Sequence, residues 1–468
     1  MASMFSRPAT HRISLLEPGA GVGSLAAAFI ERTCADWPGV TEIRVTAYEI
    51  DPDMCQGLTE TLRDCAETAS AAGKRLTFEI RNADFISLGS RLARGDLFHD
   101  RESFTHVLMN PPYRKVQSSS AHREQLRSCG IEATNLYSGF VALALKLLEP
   151  HGELVAITPR SFCNGPYFED FRKNLLSTSA LRGVHAFQSR SSAFKEDRVL
   201  QENIIFSIAM AKQPRTVRLS SSDGIEFSGV TWRQVPYSAL IHSNDSHCLI
   251  HLPMSADDER VGRRLAGLSH SLDDLGLKVS TGPVVDFRLR EFLRQEPGPA
   301  TVPLLYPSHF RHGALEWPKA GGRKPNAIVS SDDTRKWLMP TGYYTVTRRF
   351  SSKEERRRVV ASVLDPTHLP SDLVGIENHL NVFHRGGQGL DPTLARGLAA
   401  FLNSTIVDQV FRTFNGHTQV NASDLRALRY PGVTGLKALG RRVGRKRLNQ
   451  EELDRFLDEL LAASQDAA

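Results

Sequence analysis

The sequence predicts an α/β fold, with a Rossmann-like, mostly parallel sheet over residues 1–212 and a smaller-segmented, mixed α+β domain after it. Three observations lead there. Short β-rich runs alternate with helix-like stretches as far as Lys212, the pattern of a parallel sheet with helices on both faces. A glycine-rich turn joins the first strand directly to the first helix. After Lys212-Gln213-Pro214 the alternation stops, and the segments become short and rich in Pro, Ser, Gly and Arg.

In chain order, Ile13 to Leu16 reads as a strand and Ser24 to Thr33 as an Ala-rich helix. Ile43 to Glu49 is a second strand, followed by a helix around Met54 to Ala66. Leu76 to Ile80 and Thr105 to Met109 supply a third and a fourth strand. Tyr137 to Leu148 has helical spacing, and Glu153 to Ile157, Gly183 to Phe187 and Asn203 to Ala209 are β-rich. Beyond residue 255 the clearest elements are a β-like piece at Tyr343 to Val346 and one helix from Asp391 to Val410. A last helix runs from Gln450 to Leu461, with Asn449 as its N-cap.

The composition, 41% hydrophobic and 24% charged over 468 residues, excludes a disordered or collagen-like chain. No run approaches the roughly 18 consecutive apolar residues of a membrane span, so no membrane partner is expected. Six cysteines without a C-x-x-C pair argue against a disulfide framework and for a reducing, cytoplasmic setting. The net charge of +6 divides unevenly. Lys and Arg match Asp and Glu, 24 against 24, over residues 1–212, whereas residues 213–450 carry 33 bases against 22 acids. A neutral half beside a basic half suggests a catalytic body and a polyanion-binding body.

The first strand ends in Glu17-Pro18-Gly19-Ala20-Gly21-Val22-Gly23. Glycines at a strand-to-helix turn let the backbone approach a ligand that a Cβ would exclude. Glu49, at the end of the second strand and followed by Ile50, is placed to accept both ribose hydroxyls of an adenosine ligand. Asp84, next to Phe85 and after the third strand, is placed to hold an adenine amino group. Any one such acid is commonly a solvated strand end, but three at successive strand ends suggest a site. At the end of the fourth strand stands Asn110-Pro111-Pro112-Tyr113. Two prolines hold the backbone extended and remove two N–H donors. The Asn110 Oδ1 and the Pro111 carbonyl are then two acceptors suited to an amino group, with Tyr113 offering a flat face to its ring.

These stretches, LEPGAGVGSL, AYEID, NADF and MNPPY, resemble motifs I to IV of the gamma-class, Taq-type S-adenosylmethionine-dependent N6-adenine DNA methyltransferases of restriction–modification systems. The resemblance covers roughly residues 1–210. It implies a methyltransferase domain with S-adenosylmethionine as cofactor, base flipping in double-stranded DNA, and a cognate restriction endonuclease encoded nearby. Gly152 to Pro159 is similar to the fifth-strand segment of that family. Ala193-Phe194-Lys195-Glu196-Asp197 resembles its motif VIII, which implies that Phe194 stacks on the flipped base opposite Tyr113, with Phe187 as the fallback. A more loosely similar segment, Phe411 to Ala422 with Asp424-Leu425 and Tyr430-Pro431, implies the close of a target-recognition domain. The motif that precedes the Gly-rich turn in that family is expected to be incomplete, because only twelve residues precede Ile13.

The expected organisation is a catalytic domain over 1–212, a linker over 213–254, a DNA target-recognition domain over 255–449 and a C-terminal helix over 450–468. Arg348 and Arg349 with Lys353, Arg356, Arg357 and Arg358 form one basic cluster, and Arg441, Arg442, Arg445, Lys446 and Arg447 another, both suited to phosphates. Asn415, His417, Gln419 and Asn421 are candidates for DNA contact, with a loop-building role as the alternative. A zinc site at His242, His247, Cys248 and His251 is not expected, since the spacing fits no strong signature. Competing readings are transfer to RNA or to a glutamine amide, and a DNA-recognition subunit with an impaired catalytic half.

Overall fold

The computed structural model describes residues 1–95, 102–187, 202–222, 230–311, 313–445 and 448–465. Residues Met1–Met254 form one unit and Ser255–Ala468 a second.

The first unit is built on a nine-stranded sheet, ordered β3-β2-β1-β4-β5-β7-β6-β8-β9. Its strands are β1 (Arg12–Pro18), β2 (Glu42–Glu49), β3 (Arg75–Asn82), β4 (Phe104–Met109), β5 (Leu148–Pro159), β6 (Ala180–Phe187), β7 (Asn203–Ala209), β8 (Thr216–Ser222) and β9 (Thr231–Pro236). β3, β2, β1, β4 and β5 pair in parallel, and β7 returns antiparallel between β5 and β6. The helices α1 (Ser24–Asp36), α2 (Pro52–Ala71), α3 (Phe85–Arg94), α4 (Ala121–Ser128), α5 (Leu136–Lys146) and α6 (Glu169–Thr178) lie between and after the strands.

Period-two alternation along the strands feeds two separate cores. Leu15, Leu108 and Val155 pack with Phe29 and Ile30 of α1 and Leu58 and Leu62 of α2. Their neighbours Leu16, Val107 and Leu154 pack instead with Ile86 of α3 and Leu143 of α5. Helix starts follow capping chemistry. Asp51 accepts from the N–H groups of Asp53 and Met54 ahead of Pro52, and Asp84 accepts from Ser87 N at 2.8 Å.

The stretch 213–254, expected to be a linker, is part of this unit. β8 pairs with β6 and β9 with β8, and Leu240, Ile250 and Leu252 are buried in the α3/α5 core. Part of the Ser-rich composition that suggested a linker, Ser220 to Ser222, lies within β8 itself.

Among the described residues, the second unit combines three sheets with helices, the mixed α+β architecture expected, the smallest sheet pairing Phe310–Arg311 with Ala314–Leu315. An antiparallel sheet joins residues 278–281, 380–384, 344–348 and 361–364 in that order. A five-stranded mixed sheet is centred on 301–305, which pairs with 327–329 and 373–376. The single helix expected from Asp391 to Val410 is two, Pro392–Leu402 and Thr405–Phe414. Asn403 exchanges two hydrogen bonds with the Ala361 backbone, 3.0 and 2.8 Å, and Ser404 caps the second helix through Val407 N. Polar caps thus end one apolar run and start another. The C-terminal helix Gln450–Gln465 is no separate element: Asp454 accepts from Thr405 N and Oγ1, and Leu453, Leu457 and Leu461 are buried. Asn449 Oδ1 accepts from Glu452 N at 2.9 Å, as the N-cap reading expects.

Candidate active site and nucleic-acid interface

Strand register alone gathers the candidate residues of the first unit. Pro18 lies opposite Tyr48 and Leu16 opposite Val107, so one step on Gly19 is flanked by Glu49 and, across β4, by Asn110. Glu49 is itself paired with Asn82, and Met109 with Ala156. Asn82, Glu49, Gly19, Asn110 and Ile157 therefore form one row along the carboxyl edge of the sheet. β1 and β4 are where the strand order reverses, the crevice in which open α/β sheets bind ligands.

The glycine turn takes a left-handed backbone that its glycines permit. Gly19, Gly21 and Gly23 all have positive φ, and no atom lies within 4 Å of where a Gly21 Cβ would stand. Gly19 N and Ala20 N both donate to Tyr48 O, tying the turn to β2. Glu49 accepts from Gly21 N through Oε2 at 2.8 Å and from Asp51 N through Oε1 at 2.9 Å. Each oxygen keeps a further lone pair, which suits a pair of ribose hydroxyls. Ile50 is 67% exposed, and Val22 and Met54 are also exposed, a group of apolar side chains without cover beside the turn. Donor set and open cradle fit an adenosine-bearing cofactor. Neither Val22 nor Met54 carries a sequence signal beyond its place next to the glycines and the helix start.

Glu17 and Pro18 are buried behind the turn, and burial raises the Glu17 carboxyl to about 8, against the pull of the Ala26 backbone N–H. Its Oε2 has no hydrogen-bond partner. Asp84 combines its cap of α3 with an ion-pair contact to His122 of α4, 3.1 Å away. No sequence pattern links His122 to a site 38 positions earlier; only the fold brings it there. Phe85 is not open to a ligand. Its ring is buried between Tyr48 and Phe140, with centroids 5.2 and 5.1 Å away, because the first turn of α3 faces the core.

Asn110 is exposed, Pro111 buried, Pro112 exposed and Tyr113 half-buried. Tyr113 donates its hydroxyl to Asn110 Oδ1 at 3.1 Å and meets Tyr137 edge-on at 6.2 Å. Tyr137 is itself fixed by Ser161 and by the Phe168 ring. Phe194 lies outside the described residues. Phe187 ends β6 on the same sheet edge, half-buried and edge-on to His185.

In the second unit the basic residues separate into different roles. Arg356 and Arg357 line a cleft of about 940 Å³ with Arg396, and burial lowers the Arg357 guanidinium. Arg348 pairs with Glu355 at 3.3 Å, and Arg349 donates to Asn378 O at 3.3 Å. Arg358 is no surface cation: it is buried, donates to Ser351 Oγ and Asn415 Oδ1, and lies over the Phe411 ring. Asn415 is buried too, donating to Gln419 O and Asp424 Oδ2, so it builds the loop and faces no partner outside. Asn421 caps the helix Ala422–Arg426. His417 and Gln419 stay half-exposed on that loop, and Arg441 and Arg442 are exposed; Lys446 and Arg447 lie outside the described residues. Among the described residues, no group of His, Cys, Asp and Glu is arranged to hold a metal, and no helix is long and apolar enough to cross a membrane. None of the six cysteines is in a disulfide.

Comparison with known proteins gives four findings. A profile of the Eco57I restriction-modification methylase family matches residues 49–194. The type II methyltransferase M.BsuBI of Bacillus subtilis is 43% identical over 98% of this chain and 91% of its own length. The type II methyltransferase M.PstI of Providencia stuartii is 42% identical over 98% of this chain and 90% of its own. Among solved structures, the type IIL restriction-modification enzyme MmeI in complex with DNA aligns with a TM-score of 0.58 at 11% identity, over 96% of this chain and 70% of that one. That last likeness speaks to fold alone.

Proposed function

Since the chain belongs to the type II DNA methyltransferases of restriction–modification systems, with S-adenosylmethionine as cofactor, we propose that it methylates N6 of an adenine turned out of duplex DNA. The carrying observation is the placement of Asn110-Pro111-Pro112-Tyr113 one strand from the glycine turn, on the row that holds Glu49.

When bound, the cofactor supplies a methyl group on a positively charged sulfur. Glu49 holds the ribose, Ile50 and Val22 cover the base, and Asp84 accepts from the adenine amino group. Phe85 supports the site from the core. The exocyclic amine of the target adenine is a poor nucleophile because its lone pair is spread into the ring. Asn110 Oδ1 and the Pro111 carbonyl accept its two hydrogens and draw the nitrogen toward tetrahedral geometry. Tyr113 serves twice, its hydroxyl fixing the Asn110 amide and its ring stacking on the base. The N–C bond forms as the methyl–sulfur bond breaks, and the methylated amine then gives up its proton to solvent, so the gain is positioning and preorganised electrostatics. Phe194 is proposed as the opposite stacking face. Stacking offsets the cost of extrusion, on the order of a few kcal/mol. The second unit contributes DNA contacts, among them Arg348, Arg349, Arg356, Arg357, His417 and Gln419, and a cognate endonuclease is the expected companion.

Incubation with methyl-labelled cofactor and duplex DNA, then digestion to nucleosides, tests the reading. Label is expected in N6-methyladenine, and label confined to a cytosine product overturns the adenine assignment. Asn110→Ala is expected to cut transfer at least about 100-fold while DNA affinity holds, as removal of a preorganised hydrogen-bonding group does.

A further inference from the structure

The second unit holds a constellation that phosphate binding does not explain. Glu377 is fully buried, and its carboxylate accepts from His379 N at 2.9 Å and pairs with His379 Nδ1. A buried carboxylate is costly unless paired, and this one is held by the backbone N–H and the ring of His379. That ring is not itself buried: the His379 side chain is 44% exposed, and Nε2 lies on the edge opposite Glu377. Phe350, 41% exposed, packs beside it with centroids 5.1 Å apart.

Backbone hydrogen bonds bring four segments to this place. Arg349 N donates to His379 O at 2.9 Å and Val420 N to Arg349 O at 2.7 Å. Phe350 bridges to Gln419, which carries an amide, and Asn381 Nδ2 donates to Val420 O. From the other side, Val284 N donates to Ile376 O and Asn378 N to Val284 O, delivering the segment that ends in Phe287, 60% exposed beneath Arg288.

Phosphates are held by flexible cations, which set affinity without reading sequence. Discrimination among bases needs a hydrogen-bonding edge held in one orientation, and a histidine tied through Nδ1 to a buried carboxylate is such an edge. We propose that His379, positioned by Glu377 and flanked by Phe350, contacts a base edge of duplex DNA and determines the preference at one base pair of the recognition site. The inference rests on the reading of residues 255–468 as the DNA-contacting half.

The test uses the full chain, cofactor, and a panel of duplexes differing from the methylated site by one base pair. His379→Ala is expected to lower discrimination at one base pair by about 10- to 100-fold, the worth of one good base contact. The salt dependence of DNA binding and the affinity for cofactor stay as in the parent. Glu377→Gln keeps the volume but weakens the hold on Nδ1; a smaller loss of discrimination at the same base pair is expected. Unchanged discrimination in His379→Ala overturns the proposal. So does a uniform loss of affinity across all duplexes with a shallower salt slope, which marks a phosphate contact. Should His379→Ala fail to fold, Phe350→Ala at an exposed ring carries the same comparison, with the same two overturning results. Absence of any methyl transfer to DNA by the parent chain is a separate outcome and overturns the functional reading instead.

Discussion

Glu17 shows how one side chain links the carboxyl edge of the sheet to stability. Its carboxyl keeps its proton to about pH 8, whereas the unfolded chain releases it near the ordinary value of 4.5. Between those limits the folded state binds more protons, so stability falls as pH rises and is level outside the window. Urea unfolding of the cofactor-free protein is therefore expected to show a decline across that window, on the order of a few kcal/mol, which Glu17→Gln removes. An unchanged slope in the variant would exclude Glu17 as its source. Asn415 gives a second expectation at this scale. Its four hydrogen bonds, to Arg358, His417, Gln419 and Asp424, hold a loop. Asn415→Ala is expected to cost about 1–3 kcal/mol of stability, read by denaturant midpoint, with methylation-site preference unaltered in the folded fraction.

Two helices of the second unit meet at their glycines. A Cβ on Gly440 would stand 1.9 Å from Thr393 O, and one on Gly397 would stand 1.8 Å from Leu436 O. Helices Pro392–Leu402 and Val433–Arg445 thus cross at backbone contact, a distance only glycine permits. Gly440→Ala is expected to destabilise by about 1–3 kcal/mol, because backbone must move. Gly262, in the helix Ala256–Ala266, makes the opposite case: nothing lies within 4 Å of its would-be Cβ. Gly262→Ala is expected to stabilise by up to about 1 kcal/mol. The two midpoints, measured on the full chain, check a difference of sign. At this scale much was legible in sequence, since strands β1 to β7 and helices α1, α2 and α5 follow from periodicity. The break at Asn403-Ser404 was not, because the partner that satisfies Asn403 is a backbone 42 residues away.

Across the whole molecule the charge division has a measurable consequence. The first 212 residues are balanced and residues 213–450 carry the excess of bases. Arg358 is nonetheless spent on internal bonds, so fewer cations reach solvent than the sequence suggests. DNA affinity is expected to fall linearly with salt on logarithmic axes, and Arg349→Ala or Arg356→Ala to reduce the slope by about one each if each meets a phosphate. A variant with an unchanged slope would remove that arginine from the interface.

The sequence by itself determined the class of fold and the strand ends proposed to hold the cofactor. Glycines, acids and Asn110-Pro111-Pro112-Tyr113 stand at strand ends, and a parallel sheet must bring successive strand ends together. Tertiary structure alone decided what the side chains of the second half do. There the same residue types, Arg349 and Arg358, Gln419 and Asn415, divide between surface and interior according to which distant backbone group or carboxylate completes their hydrogen bonds. The linker read into 213–254 failed for the same reason: β8 stands in a stretch rich in Pro, Ser and Gly, and only its pairing to β6 and β9 reveals it as sheet.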